Sequence, residues 1–209
     1  MRRITFTSWL VSSCCCSLLA FAGCGGSSSN SGTSTTYHGI VAAANESGTL
    51  SIVISSAGTA ATGTVTVSGT ATNLTGTYTA SSYALSLSGG AYSFTGTLSS
   101  RTFSGTYTGP KGAGHFSALS DEGTTVTSYC GTYSGADSGV WNLSVDANGN
   151  ATGAYHSNTG GGSDVLSGTV TSGNVSLTYS GGTASGTIAG GGTWTAGGGS
   201  GTWTVANHC

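Results

Sequence analysis

The chain has 209 residues, of which only 5% are Asp, Glu, Lys or Arg, and its formal net charge is −2. A typical soluble protein holds about 25% charged residues, so this one has little material for a convergent catalytic set and none for a cationic nucleic-acid surface. Glycine is abundant, at 38 residues, and the Gly/Ser/Thr composition opposes helix throughout.

Residues 1–23 carry the marks of a secretory signal. Arg2 and Arg3 precede an apolar core from Trp9 to Phe21, broken only by Ser12, Ser13 and Ser17, and the small pair Ala22-Gly23 closes it. That core is shorter than the roughly 20 apolar residues of a membrane-spanning helix. Leu18-Leu19-Ala20-Phe21-Ala22-Gly23-Cys24 resembles the lipobox of bacterial envelope lipoproteins, with Phe21 where the pattern usually has Leu. The resemblance implies cleavage before Cys24, acylation of that cysteine, and a membrane partner engaged through an N-terminal lipid. Gly25, standing where Asp would retain the protein, implies onward sorting to an outer membrane. Residues 24–36 then comprise the lipidated cysteine and a Gly/Ser-rich linker, a flexible coil spanning on the order of 20 Å.

About 170 residues follow, enough for one domain or two small ones. Their fixed cations are Arg101 and Lys111, against Glu46, Asp121, Glu122, Asp137, Asp146 and Asp164. This stretch is duplicated. Tyr37-His38-Gly39 recurs as Tyr129-Cys130-Gly131, Gly48–Ile54 as Gly139–Val145, Leu74–Thr79 as Leu166–Thr171, and Phe94–Leu98 as Ala184–Ile188, at a constant offset of 90–92. The two units span 37–120 and 128–209.

Within each unit the period is two, as for half-buried strands. Trp141, Leu143 and Val145 alternate with Asn142, Ser144 and Asp146, and Leu50, Ile52 and Ile54 alternate with Ser51 and Val53. About eight short strands fit in each unit, separated by turn signals such as Ser88-Gly89-Gly90, Asn148-Gly149 and Ser180-Gly181-Gly182. Asn-Gly suits a type I′ hairpin. Phe94-x-Gly96-x-Leu98, Phe103-x-Gly105-x-Tyr107 and Ala184-x-Gly186-x-Ile188 repeat a glycine on the apolar face, which marks tight bending or close approach around a narrow core. The expected fold is all-β: two tandem antiparallel up-and-down β-meander units, each a small eight-stranded barrel. Whether they close separately or share one continuous sheet is open at this level.

Of the six cysteines, Cys14, Cys15 and Cys16 leave with the signal and Cys24 carries lipid, so Cys130 and Cys209 remain for a disulfide. In a meander barrel the first and last strands are neighbours, and this pair would staple the closure. Copy one has His38 in place of Cys130 and is expected to be the less stable unit. Two cysteines so far apart lack metal-ligand spacing, and no metal or cofactor is expected.

The remaining candidates for chemistry are thin. His38 and His115 fall on the first and last strands of copy one and are expected near each other, without a third ligand; with His156 and His208 they read as surface or strand-edge groups. Asp146-Ala147-Asn148-Gly149-Asn150 resembles part of a calcium loop but lacks its further oxygen ligands, so a hairpin turn is expected. Asp121-Glu122 read as solvating residues between the copies. No G-x-S-x-G elbow with a partnered His and Asp is present, and no enzymatic activity is expected. Aromatics concentrate in copy two, as Tyr133, Trp141, Tyr155, Tyr179, Trp194 and Trp203. Filling the barrel is the favoured reading for them; lining a ligand mouth, with Tyr133, Trp141, Tyr155, Trp194 and Trp203 as its walls, is the other.

Gly131–Val145 through Thr152–Ser157 resembles the opening of the avidin/streptavidin family, which implies an eight-stranded up-and-down barrel. Tyr155 and Ser157 match positions that contact biotin in that family, whereas the Asn and Ser of its first loop are replaced by Gly135 and Gly139. Losing those partners argues against biotin, since each buried polar group left unpaired costs about 1–3 kcal/mol. The expected function is a non-enzymatic binding or structural role in the bacterial envelope, with a small-molecule ligand or a surface protein as partner. The alternative is a calycin-like carrier of a small apolar or amphipathic ligand.

Overall fold

The computed structural model describes residues 33–44, 46–206 and 209; the lipobox, Cys24, most of the linker and His208 lie outside the described residues. The first copy supplies β1 (Thr35–Ala43), β2 (Glu46–Ile54), β3 (Ala60–Val67), β4 (Thr70–Thr79), β5 (Ala84–Gly89), β6 (Tyr92–Ser99), β7 (Thr102–Gly109) and β8 (Gly112–Ser120). The second supplies β9 (Val126–Gly135), β10 (Gly139–Asp146), β11 (Asn150–Ser157), β12 (Ser163–Thr171), β13 (Asn174–Tyr179), β14 (Gly182–Thr187), β15 (Gly191–Ala196) and β16 (Gly199–Ala206). Each set of eight pairs in chain order and closes first strand on last, β1 on β8 and β9 on β16. The copies are therefore two separate up-and-down barrels. Their first strands begin at Thr35 and Val126, slightly ahead of the repeat boundaries.

Turn chemistry makes the meander possible. Ser68-Gly69 (φ 49° and 75°) and Ser172-Gly173 (φ 50° and 80°) both hold two consecutive positive φ values, the type I′ geometry that matches strand twist. Asn148-Gly149 departs from that expectation: only Gly149 is left-handed, at φ 83°. Its amide bonds the Asp146 carbonyl at 2.9 Å, and Asp146 Oδ1 accepts the amides of Asn148 and Asn150 at 2.9 and 2.8 Å. The Asp146 carboxylate is thus engaged in closing a three-residue loop, which explains its resemblance to a calcium loop.

The recurrent glycines explain how a narrow barrel holds large rings. Gly96 and Gly105 face each other across β6 and β7, and Gly105 in turn faces Phe116 on β8. A Cβ on Gly96 would lie 2.5 Å from the Ser104 carbonyl oxygen and 2.7 Å from the Phe116 ring. Gly186, Gly192 and Trp203 repeat the arrangement across β14, β15 and β16, with a Gly186 Cβ 2.8 Å from the Trp203 ring. One bulky side chain on the closing strand lies over the backbone of its neighbours, and only glycine leaves room.

Cys130 on β9 is bridged to Cys209, with Cα atoms 5.0 Å apart and a sequence separation of 79. Because Cys130 also pairs with Ala206 on β16, the disulfide staples the closure of barrel two.

The barrels pack through strands buried on both faces, β1 and β8 against β10 and β11. Tyr37, Val41 and Ala43 of β1 enter the core of barrel one, while Ile40 and Ala42 point outward onto Ala154 and Val140. Asn142, fully buried, donates to the Val41 carbonyl and accepts from Ser47 Oγ at 2.7 Å. Ser117 bonds Thr152, and His115 Nδ1 meets Ser163 Oγ at 2.8 Å. Buried polar groups demand such partners, so these bonds fix the register of one barrel on the other. Arg101 adds a tie: it donates to the carbonyls of Ser120 and Glu122 at 3.1 and 2.8 Å and lies 3.8 Å from the Asp146 carboxylate. Asp121 and Glu122, outside any strand, are drawn into this junction: Asp121 pairs with His38 at 3.2 Å and Glu122 accepts from Thr35 at 3.1 Å. They anchor the connection instead of merely solvating it.

Candidate functional site

Strand register gives a residue-by-residue correspondence between the barrels. Gly39 faces Leu50 as Gly131 faces Trp141, so Leu50 corresponds to Trp141 and, two residues along the first strands, Val41 to Tyr133. Ile52 faces Gly63 as Leu143 faces Gly153, which places Val65 opposite Tyr155 in the comparison. The glycine ladders equate Phe94 with Ala184, Tyr107 with Trp194, and Phe116 with Trp203.

The consequence is a ring-packed centre in barrel one and a pocket in barrel two. In barrel one Phe94 is buried, stacked on Tyr107 with centroids 5.3 Å apart and edge-on to Phe116 at 5.5 Å. Its counterpart Ala184 stops at Cβ. A second exchange accompanies it: barrel one pairs Gly89 with Tyr92, whereas barrel two pairs Tyr179 with Gly182. Tyr92 stacks on Phe94 at 6.4 Å; the Tyr179 ring instead covers Gly182 and packs on Tyr155 at 5.3 Å. Barrel two is left with a cavity of about 100 Å³, lined by Tyr133, Trp141, Tyr155, Tyr179, Trp194, Trp203, Asp137 and small aliphatic residues including Leu177 and Ala184.

The walls are held stiffly. Trp141 and Trp203 meet edge to face at 5.2 Å, and Tyr133 meets Trp194 at 5.7 Å. Every indole N–H is turned into the barrel wall: Trp141 donates to the Thr204 carbonyl, Trp194 to that of Ser134, and Trp203 to those of Ser185 and Thr193, all at 3.1–3.2 Å. Tyr179 donates to the Thr195 carbonyl at 3.0 Å. The three indoles and Tyr179 thus line the cavity with their donors spent on backbone carbonyls.

Asp137 is the formal charge at this site. It accepts the Ser138 amide at 2.7 Å, Ser157 Oγ at 3.0 Å and the Tyr133 hydroxyl at 3.0 Å. Burial pushes its carboxyl up, and the bonds from Ser138, Ser157, Thr159 and Tyr133 outweigh that effect and hold it below the ordinary carboxylate value. Tyr133 is pushed up, first by burial and then by its bond to Asp137. The corresponding residue in copy one is Glu46, 91 positions earlier. There the acid is sealed in: Glu46 Oε1 and the Tyr107 hydroxyl are buried without a hydrogen-bond partner, and Tyr107 is pushed up by burial and by the Glu46 charge.

Tyr133, Trp141, Tyr155, Trp194 and Trp203 all come together around the cavity, buried or half-buried, so the rings enclose a space instead of filling the barrel outright. Ser157 is committed to Asp137. Asp137, Ala184 and Tyr179 complete the site; the first two were signalled only by comparison with Glu46 and Phe94 in the other copy. The histidines part from expectation. His38 pairs with Leu119 and His115 with Ala42, four steps apart and so roughly 13 Å along the ladder. His156 is buried, its Nδ1 without a partner, and burial lowers its pKa, with the Asp137 charge opposing in part. No group of three His, Cys, Asp or Glu suited to a metal ion occurs among the described residues.

No family model matches the chain, and neither a curated protein nor a solved structure matches it. The class of site rests on geometry alone: an aromatic-walled calyx in a closed barrel.

Proposed function

We propose that the protein is a non-enzymatic binding protein of the bacterial envelope, tethered by lipid at Cys24, whose second barrel holds a small apolar or amphipathic ligand. The observation that carries the binding role is the pocket in barrel two at the position where barrel one packs Phe94 and barrel two has Ala184. A carrier site needs a concave, mostly apolar pocket with few oriented polar groups, and the calyx supplies three indoles, three phenols and one carboxylate. Barrel one, with its filled core and its face buried on β10 and β11, serves as the rigid platform. The envelope address rests on the lipobox and the tether.

Native mass spectrometry of the full chain purified from a bacterial envelope, compared with a denatured sample, tests the reading. A stoichiometric small mass released on denaturation is expected, together with an acyl-modified Cys24. A chain without retained mass that also binds none of a panel of small apolar, amphipathic and cationic probes overturns the carrier role.

A further inference from the structure

We propose that the ligand's buried part is an alkylated ammonium group, with a trimethylammonium head seated among the indoles and its charge toward Asp137. This deepens the carrier reading and rests on it. Three features of the calyx select the class. The rings of Trp141, Trp194 and Trp203 line the space, and a cation over the face of such a ring is attracted by its quadrupole. The indole donors and the Tyr179 hydroxyl are committed to backbone carbonyls, so a carboxylate or phosphate entering here would meet no donor from those groups. The charge that does line the cavity is negative, and three protein donors hold it in place.

Charge balance points the same way. The mature chain has two fixed cations: Arg101 is engaged with Asp146 and the interbarrel junction, and Lys111 lies in the β7–β8 turn, beyond the strands that form the calyx. No salt bridge to Asp137 occurs among the described residues. Size agrees as well. An apolar cavity of ~150 Å³ admits benzene, with six heavy atoms, so about 100 Å³ accommodates a head of roughly four or five, with the rest of the molecule projecting through the mouth. The duplication offers a comparison: Glu46 keeps an acid at the corresponding place in barrel one, where Phe94 occupies the space a head group would need.

The test titrates the full chain with choline and with its neutral carbon isostere, 3,3-dimethylbutan-1-ol, following tryptophan fluorescence. Choline is expected to bind at least about tenfold more tightly, the difference a cation–π and carboxylate site confers. Asp137→Asn is expected to weaken choline at least about tenfold while barely changing the isostere. Ala184→Phe, which installs the side chain that barrel one already accommodates, is expected to abolish both while the melting transition persists. Equal binding of choline and isostere, or choline binding indifferent to Asp137→Asn, overturns the cationic assignment and leaves the carrier reading standing. Failure of every probe, with no retained mass in the native spectrum, removes both. Vesicles bearing phosphatidylcholine or phosphatidylglycerol then identify the source: capture by the choline-bearing vesicles alone supports a lipid head group, and binding of free choline without capture supports a soluble solute.

Discussion

The contrast between the barrels yields a reciprocal experiment, centred on Ala184→Phe. The cavity it would fill is about 100 Å³, and residual cavity in a protein core costs on the order of 24 cal/mol per Å³. Filling it completely would contribute about 2.4 kcal/mol. The gain is trimmed because Trp194 and Trp203 are larger than Tyr107 and Phe116, the neighbours of Phe94, and overpacking costs about 1–3 kcal/mol. A net stabilisation of about 1 kcal/mol is expected in ligand-free protein, a rise in Tm of about 2–4 °C for a chain of this size. The converse, Phe94→Ala, empties a site in contact with Tyr92, Tyr107 and Phe116, and its expected cost is about 3–5 kcal/mol. Circular dichroism melts of the wild type and both variants, with and without choline, provide the measurement. Ligand should raise the wild-type Tm, since it binds the folded state, and leave Ala184→Phe unmoved. A fall of several degrees in Ala184→Phe, or a ligand shift surviving it, would refute the claim that Ala184 marks space kept open for a ligand.

The other predictions concern stability. Replacing Cys130 and Cys209 by Ser removes a cross-link spanning a sequence separation of 79, for which loop-closure entropy gives about 4 kcal/mol; denaturant titration should show barrel two unfolding at a lower denaturant concentration than with the disulfide intact. Asn142→Ala strips the Val41 carbonyl and Ser47 of a buried partner and should cost about 1–3 kcal/mol in the same assay, with the near-ultraviolet signal of the calyx intact at low denaturant. Two acid phases are expected in stability against pH. Because burial lowers the folded pKa of His156, the unfolded chain takes up that proton first; stability should be flat above about pH 7 and fall as pH drops through 6.5. His156→Gln should remove this phase. Asp137 has its folded pKa lowered, so its contribution is present above an unfolded value of about 4 and is lost as pH falls further; Asp137→Asn should flatten that second phase alone.

Much of this architecture could be read from residue order because it depends on short-range chemistry. Alternation in Trp141-Asn142-Leu143-Ser144-Val145, the Gly-rich turns and the recurrence of Gly96, Gly105 and Gly186 are local signals for strands, hairpins and tight closure. The end-to-end disulfide followed, since a meander must bring Cys130 beside the last strand. What escaped was set by pairs distant in sequence. Nothing local to Ile40 and Ala42 says that their outward face meets Ala154 and Val140, although a strand apolar on both faces is itself a sign of burial on both. Residue order puts His38 and His115 on adjoining strands, but only register separates them along the ladder.

The calyx has no local sequence signal because a cavity is a property of what is missing. Aromatic enrichment in copy two reads naturally as filling, and by volume Trp141, Tyr133 and Tyr155 do bring more bulk than Leu50, Val41 and Val65. That bulk is spent on the walls, while the centre loses Phe94 and the Tyr92 ring moves to Tyr179 on the facing strand. Larger walls around a smaller centre enclose a space, whereas smaller walls around the same centre would close on it. The acid shared by Glu46 and Asp137 sharpens the point. In barrel one it lies under aromatic packing without a partner for Oε1, at a cost in desolvation; in barrel two three donors hold it at the edge of an open, π-lined space. The acid at this position is held by donors in the barrel whose central residue is Ala184, and lacks a partner for one oxygen in the barrel whose central residue is Phe94.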